Sequence, residues 1–140
     1  MELLVTGLVC YLIGSVPTAY LLVKRAHGID VRREGSGNVG AMNSFDTTGR
    51  RTLAIQIALL DVVKGAAAML VARHAGTADA AAVGMFAMIA GHDFSPWIGF
   101  RGGRGLAPAT GATLVVAPWA APVWVKEFNS QVVNRVFSNR

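Results

Sequence analysis

Charge is scarce in this 140-residue sequence: 15% of its residues are charged and 53% are hydrophobic, whereas a soluble domain carries about 25% charged residues. Cysteine is nearly absent. The single Cys10 excludes an internal disulfide and a cysteine-based metal cluster. It lies in an apolar stretch and reads as a small buried hydrophobe. No HExxH, nucleophile-elbow or Walker pattern occurs, which speaks against metal-dependent hydrolysis, serine hydrolase chemistry and nucleotide hydrolysis. Basic residues exceed acidic ones, 13 to 8. Yet no basic face with interleaved aromatics stands outside the apolar blocks, so a nucleic acid partner is not expected. Cations gathered between apolar blocks fit a membrane protein obeying the positive-inside rule beside anionic lipid.

The apolar blocks come next. Leu3 to Val23 carries no charge and is long enough to span, which takes about 20 residues. With Glu2 and no Lys or Arg ahead of it, and with too long an apolar core for a signal peptide, it reads as a retained span. Pro17 should kink it, with Ser15 or Thr18 satisfying freed backbone groups. A second span is expected over Thr52 to Ala72, with Asp61 and Lys64 near its middle. Each such charge costs about 2.5–3.5 kcal/mol to insert, and i,i+3 spacing lets the two pair on one face. Ala78 to Ala90 is a short third segment whose small residues suit close helix packing. Leu106 to Trp124, with Pro108, Pro118 and Pro122, makes a fourth, followed by a polar tail over Val125 to Arg140. The expected fold is all-α: a polytopic helical integral membrane protein of about four spans.

Two polar loops separate the spans. The first, Lys24 to Arg51, holds Gly35-Ser36-Gly37-Asn38-Val39-Gly40-Ala41-Met42-Asn43; the second, Gly91 to Gly105, holds Phe100-Arg101-Gly102-Gly103-Arg104-Gly105. Four alternating spans put both on one side. They carry Lys24, Arg25, Arg32, Arg33, Arg50, Arg51, Arg101 and Arg104, which makes that side cytoplasmic. Glycines before a helix let backbone N–H groups converge as an anion nest, and arginines add charge-assisted phosphate contacts. Each loop alone reads equally as a membrane-anchoring basic segment or a turn-rich connector; together they argue for phosphate. Ser36, Asn38 and Asn43 offer hydroxyl and amide groups. His92 beside Asp93 suits proton removal from a hydroxyl. Phe94, Trp97 and Phe100 read as interfacial aromatics. His27 and His74 have no such polar company and receive no role.

These residues together resemble the bacterial acyl-phosphate:glycerol-3-phosphate acyltransferase family. The resemblance runs from Tyr11-Leu12-Ile13-Gly14-Ser15-Val16-Pro17-Thr18 through Gly28-Ile29-Asp30, the Gly35 to Ala41 loop, Asp61 with Lys64-Gly65, and Gly91-His92 to Gly105. It implies a helical enzyme of the bacterial inner membrane that moves a fatty acyl group from acyl phosphate to the sn-1 hydroxyl of glycerol 3-phosphate. The products are lysophosphatidic acid and phosphate, in phospholipid synthesis. It implies no cofactor, no metal, and neither acyl-CoA nor acyl carrier protein. Its partners are acyl phosphate, glycerol 3-phosphate and membrane lipid. The donor is already activated, so the protein must hold two phosphorylated molecules in register and stabilise the departing phosphate. By this resemblance Ser36, His92 and Arg104 are the catalytic candidates. Asn38, Asn43, Arg101, Gly102, Gly103 and Gly105 are the substrate-binding ones.

Three features depart from the family pattern. Where the family places an arginine after its first motif, Asp46 stands; Arg50 and Arg51 are the next cations along the chain. The family's GGKG becomes Gly102-Gly103-Arg104-Gly105, which keeps charge and changes geometry. A third family motif with His and Asn has no counterpart in the tail. The expectation is therefore a shortened or divergent member: an acyltransferase-like domain over residues 1–124 and an unrelated tail over 125–140. A non-catalytic membrane protein that binds phosphate or phospholipid headgroups, and an acyltransferase for another polyol phosphate, are the alternatives.

Overall fold

The computed structural model describes residues 1–128 and 130, and the tail beyond lies outside the described residues. Among the described residues seven α-helices follow one another: α1 Glu2–Ser15, α2 Thr18–His27, α3 Ala41–Thr48, α4 Arg51–His74, α5 Ala78–Asp93, α6 Leu106–Val116 and α7 Ala121–Phe128. Short 3-10 turns lie at Val31–Arg33, Pro96–Ile98 and Pro118–Ala120. No strand occurs among the described residues.

The first span is two helices rather than one kinked helix. Val16 and Pro17 leave helical geometry, with ψ of 114° and 72°, because proline has no amide to donate and its ring clashes with the preceding turn. Ser15 Oγ donates to Leu12 O at 2.8 Å and Thr18 Oγ1 to Val16 O at 3.5 Å. Lys64 Nζ, from α4, donates to Val16 O at 2.8 Å. The expected i,i+3 pair also forms, with Lys64 Nζ 2.9 Å from Asp61 Oδ1. α2 ends at Gly28, whose φ of 70° caps the helix through its N–H to Lys24 O.

Small residues decide how the helices meet. α1 lies along α5 and α4 along α6. A Cβ on Gly14 would overlap the Met88 backbone, and one on Gly91 the Tyr11 carbonyl. Gly65 faces the Pro108 carbonyl and Gly111 the Val62 carbonyl in the same manner. Backbone-to-backbone packing of this kind is how helices associate in lipid, where burial of apolar surface gives little drive. The core between these helices holds Cys10, Ala68, Met69, Ala72, Met88 and Ala112. A second core under the first loop holds Val23, Val31, Val39, Ala54, Ile57 and Ile98. Leu4, Leu8, Leu59, Val63 and Phe86 face outward, as lipid-facing side chains do.

Among the described residues two stretches, Glu2–His27 and Arg51–His74, are long and apolar enough to cross a membrane. α5 is longer than the third segment expected from the sequence and carries His92 and Asp93 as its last residues. The fourth expected span divides: α6 stops at Val116, Pro118 opens a 3-10 turn, and α7 runs on to Phe128. A proline there removes the amide needed to continue the ladder.

Candidate functional site

The first loop is ordered by one buried side chain. Asn43, at 1% exposure, donates from Nδ2 to Val31 O at 2.9 Å and to Glu34 O at 3.0 Å. Its Oδ1 accepts from Ser36 N at 2.9 Å. Gly35 must be glycine here: φ is 55°, and a Cβ would overlap Asn43 Oδ1. The amide expected to bind substrate is thus committed to loop backbone, because three backbone groups of the 31–36 turn have no partner in a helix or strand.

Arg32 fastens this loop to the second. Its Nε and Nη2 donate to the Asp30 carboxylate at 2.9 and 2.6 Å, and its Nη1 donates to Ile98 O at 2.9 Å. The guanidinium stacks 4.9 Å above the centre of the Tyr20 ring. The hydrogen bond from Arg32 holds the Asp30 carboxyl well below the usual range, at about 2. A backbone bond from Val39 N to Gly102 O at 3.2 Å joins the glycine motifs directly.

The second loop folds back on the end of α5. Gly102 N donates to Asp93 O at 2.9 Å and Gly103 N to His92 O at 3.1 Å. These amides cap the orphan carbonyls of α5, so the nest expected from Gly102 and Gly103 does not form. Both residues are glycine for another reason: a Cβ on Gly102 would overlap His92 O, and one on Gly103 would overlap Nε2 of His92. His92 itself is buried rather than set at an open surface.

Two adjoining hollows result. The inner one, of about 90 Å³, is lined by Asn38, Gly40, Ala41, Met42, Asp61, His92, Arg104, Gly105, Leu106 and Ala107. The outer one, of about 390 Å³, is lined by Ser36, Asn38, Met42, Asn43, Asp46, Arg104 and Ser130. Arg104 and Asn38 border both. The inner hollow receives the first residues of two helices, α3 after Gly40 and α6 after Gly105. First-turn amides have no intrahelical partner, so two positive helix ends face this hollow, which Arg104 also borders. Helix termini of this kind, rather than a glycine nest, are what the hollow offers to an anion.

Of the residues singled out in the sequence, Ser36, Asn38, Asn43, His92, Arg104 and Gly105 reach these hollows. Arg101 is exposed and borders neither. Arg50 lines a separate depression with His27, Thr52 and Gln56, while Asp46 borders the outer hollow. Asp61 was not singled out for the site, although a carboxylate inside an apolar span was its signal.

The fold defines a class: an all-α protein of the membrane-integral kind. The comparisons agree. The sequence profile of the family described as glycerol-3-phosphate acyltransferase matches residues 4–133. A glycerol-3-phosphate acyltransferase of Geobacter sulfurreducens is 48% identical over 119 residues, covering 84% of this chain and 59% of the relative. That of Gluconobacter oxydans is 46% identical over 121 residues, covering 84% and 57%. The crystal structure of PlsY, an integral membrane glycerol 3-phosphate acyltransferase, in its glycerol 3-phosphate form superposes with a TM-score of 0.77 at 30% identity, covering 91% of this chain and 66% of that one. Its lysophosphatidic acid form gives 0.74. The chain belongs to the glycerol-3-phosphate acyltransferase family. It spans less than two thirds of the length of these curated relatives.

Proposed function

We propose that this chain carries the acyl-transfer cleft of an acyl-phosphate:glycerol-3-phosphate acyltransferase, with residues 1–124 as the acyltransferase-like domain. The observation that carries the reading is the position of Arg104, which borders two adjoining hollows. One arginine bordering two hollows suits a reaction whose two substrates both bear phosphate.

In this reading the sn-1 hydroxyl oxygen of glycerol 3-phosphate attacks the acyl carbonyl carbon. The bond from that carbon to the phosphate oxygen breaks, and its electron pair leaves with phosphate. The new ester is lysophosphatidic acid. Arg104 and the first turns of α3 and α6 stabilise charge on the departing phosphate. Ser36 and Asn38 orient the reacting groups, and Gly105 lets the chain enter α6 with φ at 69°. Nε2 of His92 is packed against Gly103, so the donor phosphate oxygens take the hydroxyl proton and His92 acts from the inner wall. Asn43 acts by holding the first loop. The acyl chain enters from lipid. The eight cations of the two loops set them on the cytoplasmic face of the bacterial inner membrane.

The test is phosphate release from palmitoyl phosphate by the purified protein in lipid. Release that requires glycerol 3-phosphate and yields lysophosphatidic acid supports the reading. One observation favours a second reading, a headgroup-binding protein without turnover: Asp46 borders the outer hollow where the family places a cation. Glycerol 3-phosphate binding without phosphate release supports that alternative. Turnover on a different polyol phosphate only would move the acceptor assignment.

A further inference from the structure

The break between α1 and α2 is a junction to which the reaction above gives no part. Pro17 turns the chain and leaves acceptors at the end of α1 that no helical neighbour fills. Two other elements fill them. From the second loop, Ser95 Oγ donates to Ser15 O at 2.6 Å and Trp97 Nε1 donates to Ser15 Oγ at 2.8 Å. From the middle of α4, Lys64 Nζ donates to Val16 O at 2.8 Å. The same ammonium lies 2.9 Å from Asp61 Oδ1, and Asp61 borders the inner hollow beside His92 and Arg104.

The pair is deep, with Asp61 2% and Lys64 9% exposed. Desolvation of two such charges cancels most of their attraction, so net stability is a weak reason for their presence. Fixing geometry is a better one. The lysine stem reaches from α4 to the only main-chain bend in the first span, and one ammonium serves the bend and the cleft carboxylate at once.

We propose that Lys64 is a positioning residue for the cleft. Its ammonium fixes the Val16 bend relative to Asp61, and through Ser15 it sets the height of the second loop over His92. The route is continuous: the bend holds Ser95 and Trp97, the loop runs on to Gly102 and Gly103, and those two residues cap α5 at Asp93 and His92. The kinetic consequence rests on the acyl-transfer reading; the geometric one does not.

Two measurements on the full chain in detergent micelles test it. Lys64→Met leaves Asp61 uncompensated and risks misfolding, so the decisive variant is the double D61N/K64M, with K64R as the conservative control. The first measurement is the indole Nε1–H resonance of Trp97 in a ¹⁵N-labelled sample, assigned by its loss in W97F. It should move upfield in D61N/K64M, as weakening of its bond to Ser15 requires, and stay in place in K64R. The second is steady-state acyl transfer. D61N/K64M should lose kcat by at least about tenfold, with KM for glycerol 3-phosphate within about threefold of the parent, and K64R should recover most of it. A native Trp97 resonance in D61N/K64M overturns the proposal, and so does a native kcat. If the unsubstituted chain does not turn over, the acyl-transfer reading fails by itself and the Trp97 resonance alone decides the role of Lys64.

Discussion

The Cα of Gly103 sits against Nε2 of His92 so closely that a Cβ would overlap the ring. Gly103→Ala therefore acts on the histidine, whereas a glycine nest would have placed its effect on phosphate. Displacing a group at the cleft wall by about 1 Å costs up to roughly 10²-fold in rate. We expect kcat to fall by about that factor while the affinity for glycerol 3-phosphate, read by calorimetry, changes less than about threefold. A loss confined to acceptor affinity would restore the nest.

Asn43→Ala removes the acceptor for Ser36 N and the donor to Val31 O and Glu34 O. Backbone groups left unpaired in a buried turn cost about 2–3 kcal/mol in total. Thermal unfolding in detergent should show that loss. Asn43→Asp keeps the acceptor alone and should fall between the two.

Gly65→Ala places a methyl group on the Pro108 carbonyl, where neither helix backbone can yield without moving the other. Overpacking of this kind costs about 3 kcal/mol. A clear drop in melting temperature is expected, and because α6 moves with Pro108, activity should drop with it. Gly28→Ala is the control: its Cβ meets nothing within 4 Å, so only the strain of φ at 70° remains.

The Asp30–Arg32 lock gives a pH dependence. The folded carboxyl sits at about 2, below the ordinary value of about 3.9, so the folded state favours the ionised form. Its stabilisation is complete above about pH 4 and is lost as pH falls toward 2. Asp30→Asn should lower the melting temperature at pH 6 and leave little difference from the parent near pH 2. An equal penalty at both pH values would contradict the lock.

Local signals carried much of the fold. Pro17 announced the interruption in the first span, and Asp61 and Lys64 announced their pair by spacing alone. The small residues of Ala78 to Ala90 announced close packing without naming the partner. Long-range relations were not legible. Nothing near Asn43 in sequence says that its amide closes a turn begun at Val31. Gly102 and Gly103 look like a free nest until α5 is seen to end beneath them with unpaired carbonyls. The hollow at the starts of α3 and α6 depends on two helices meeting, which no local pattern encodes. Arg101 and Arg104 are alike in sequence and both exposed, and only the fold sets Arg104 at the rim of the hollows.

The central claim is that the cleft bordered by Arg104 performs acyl transfer. The most direct measurement is lysophosphatidic acid formation from palmitoyl phosphate and glycerol 3-phosphate by the purified chain in lipid, compared with Arg104→Ala. The account predicts turnover by the parent chain and a loss of about 10²–10³-fold in the variant, as expected on removing a charge that stabilises the departing group. Turnover unchanged in Arg104→Ala, or product formation by the parent no faster than in protein-free lipid, would contradict it.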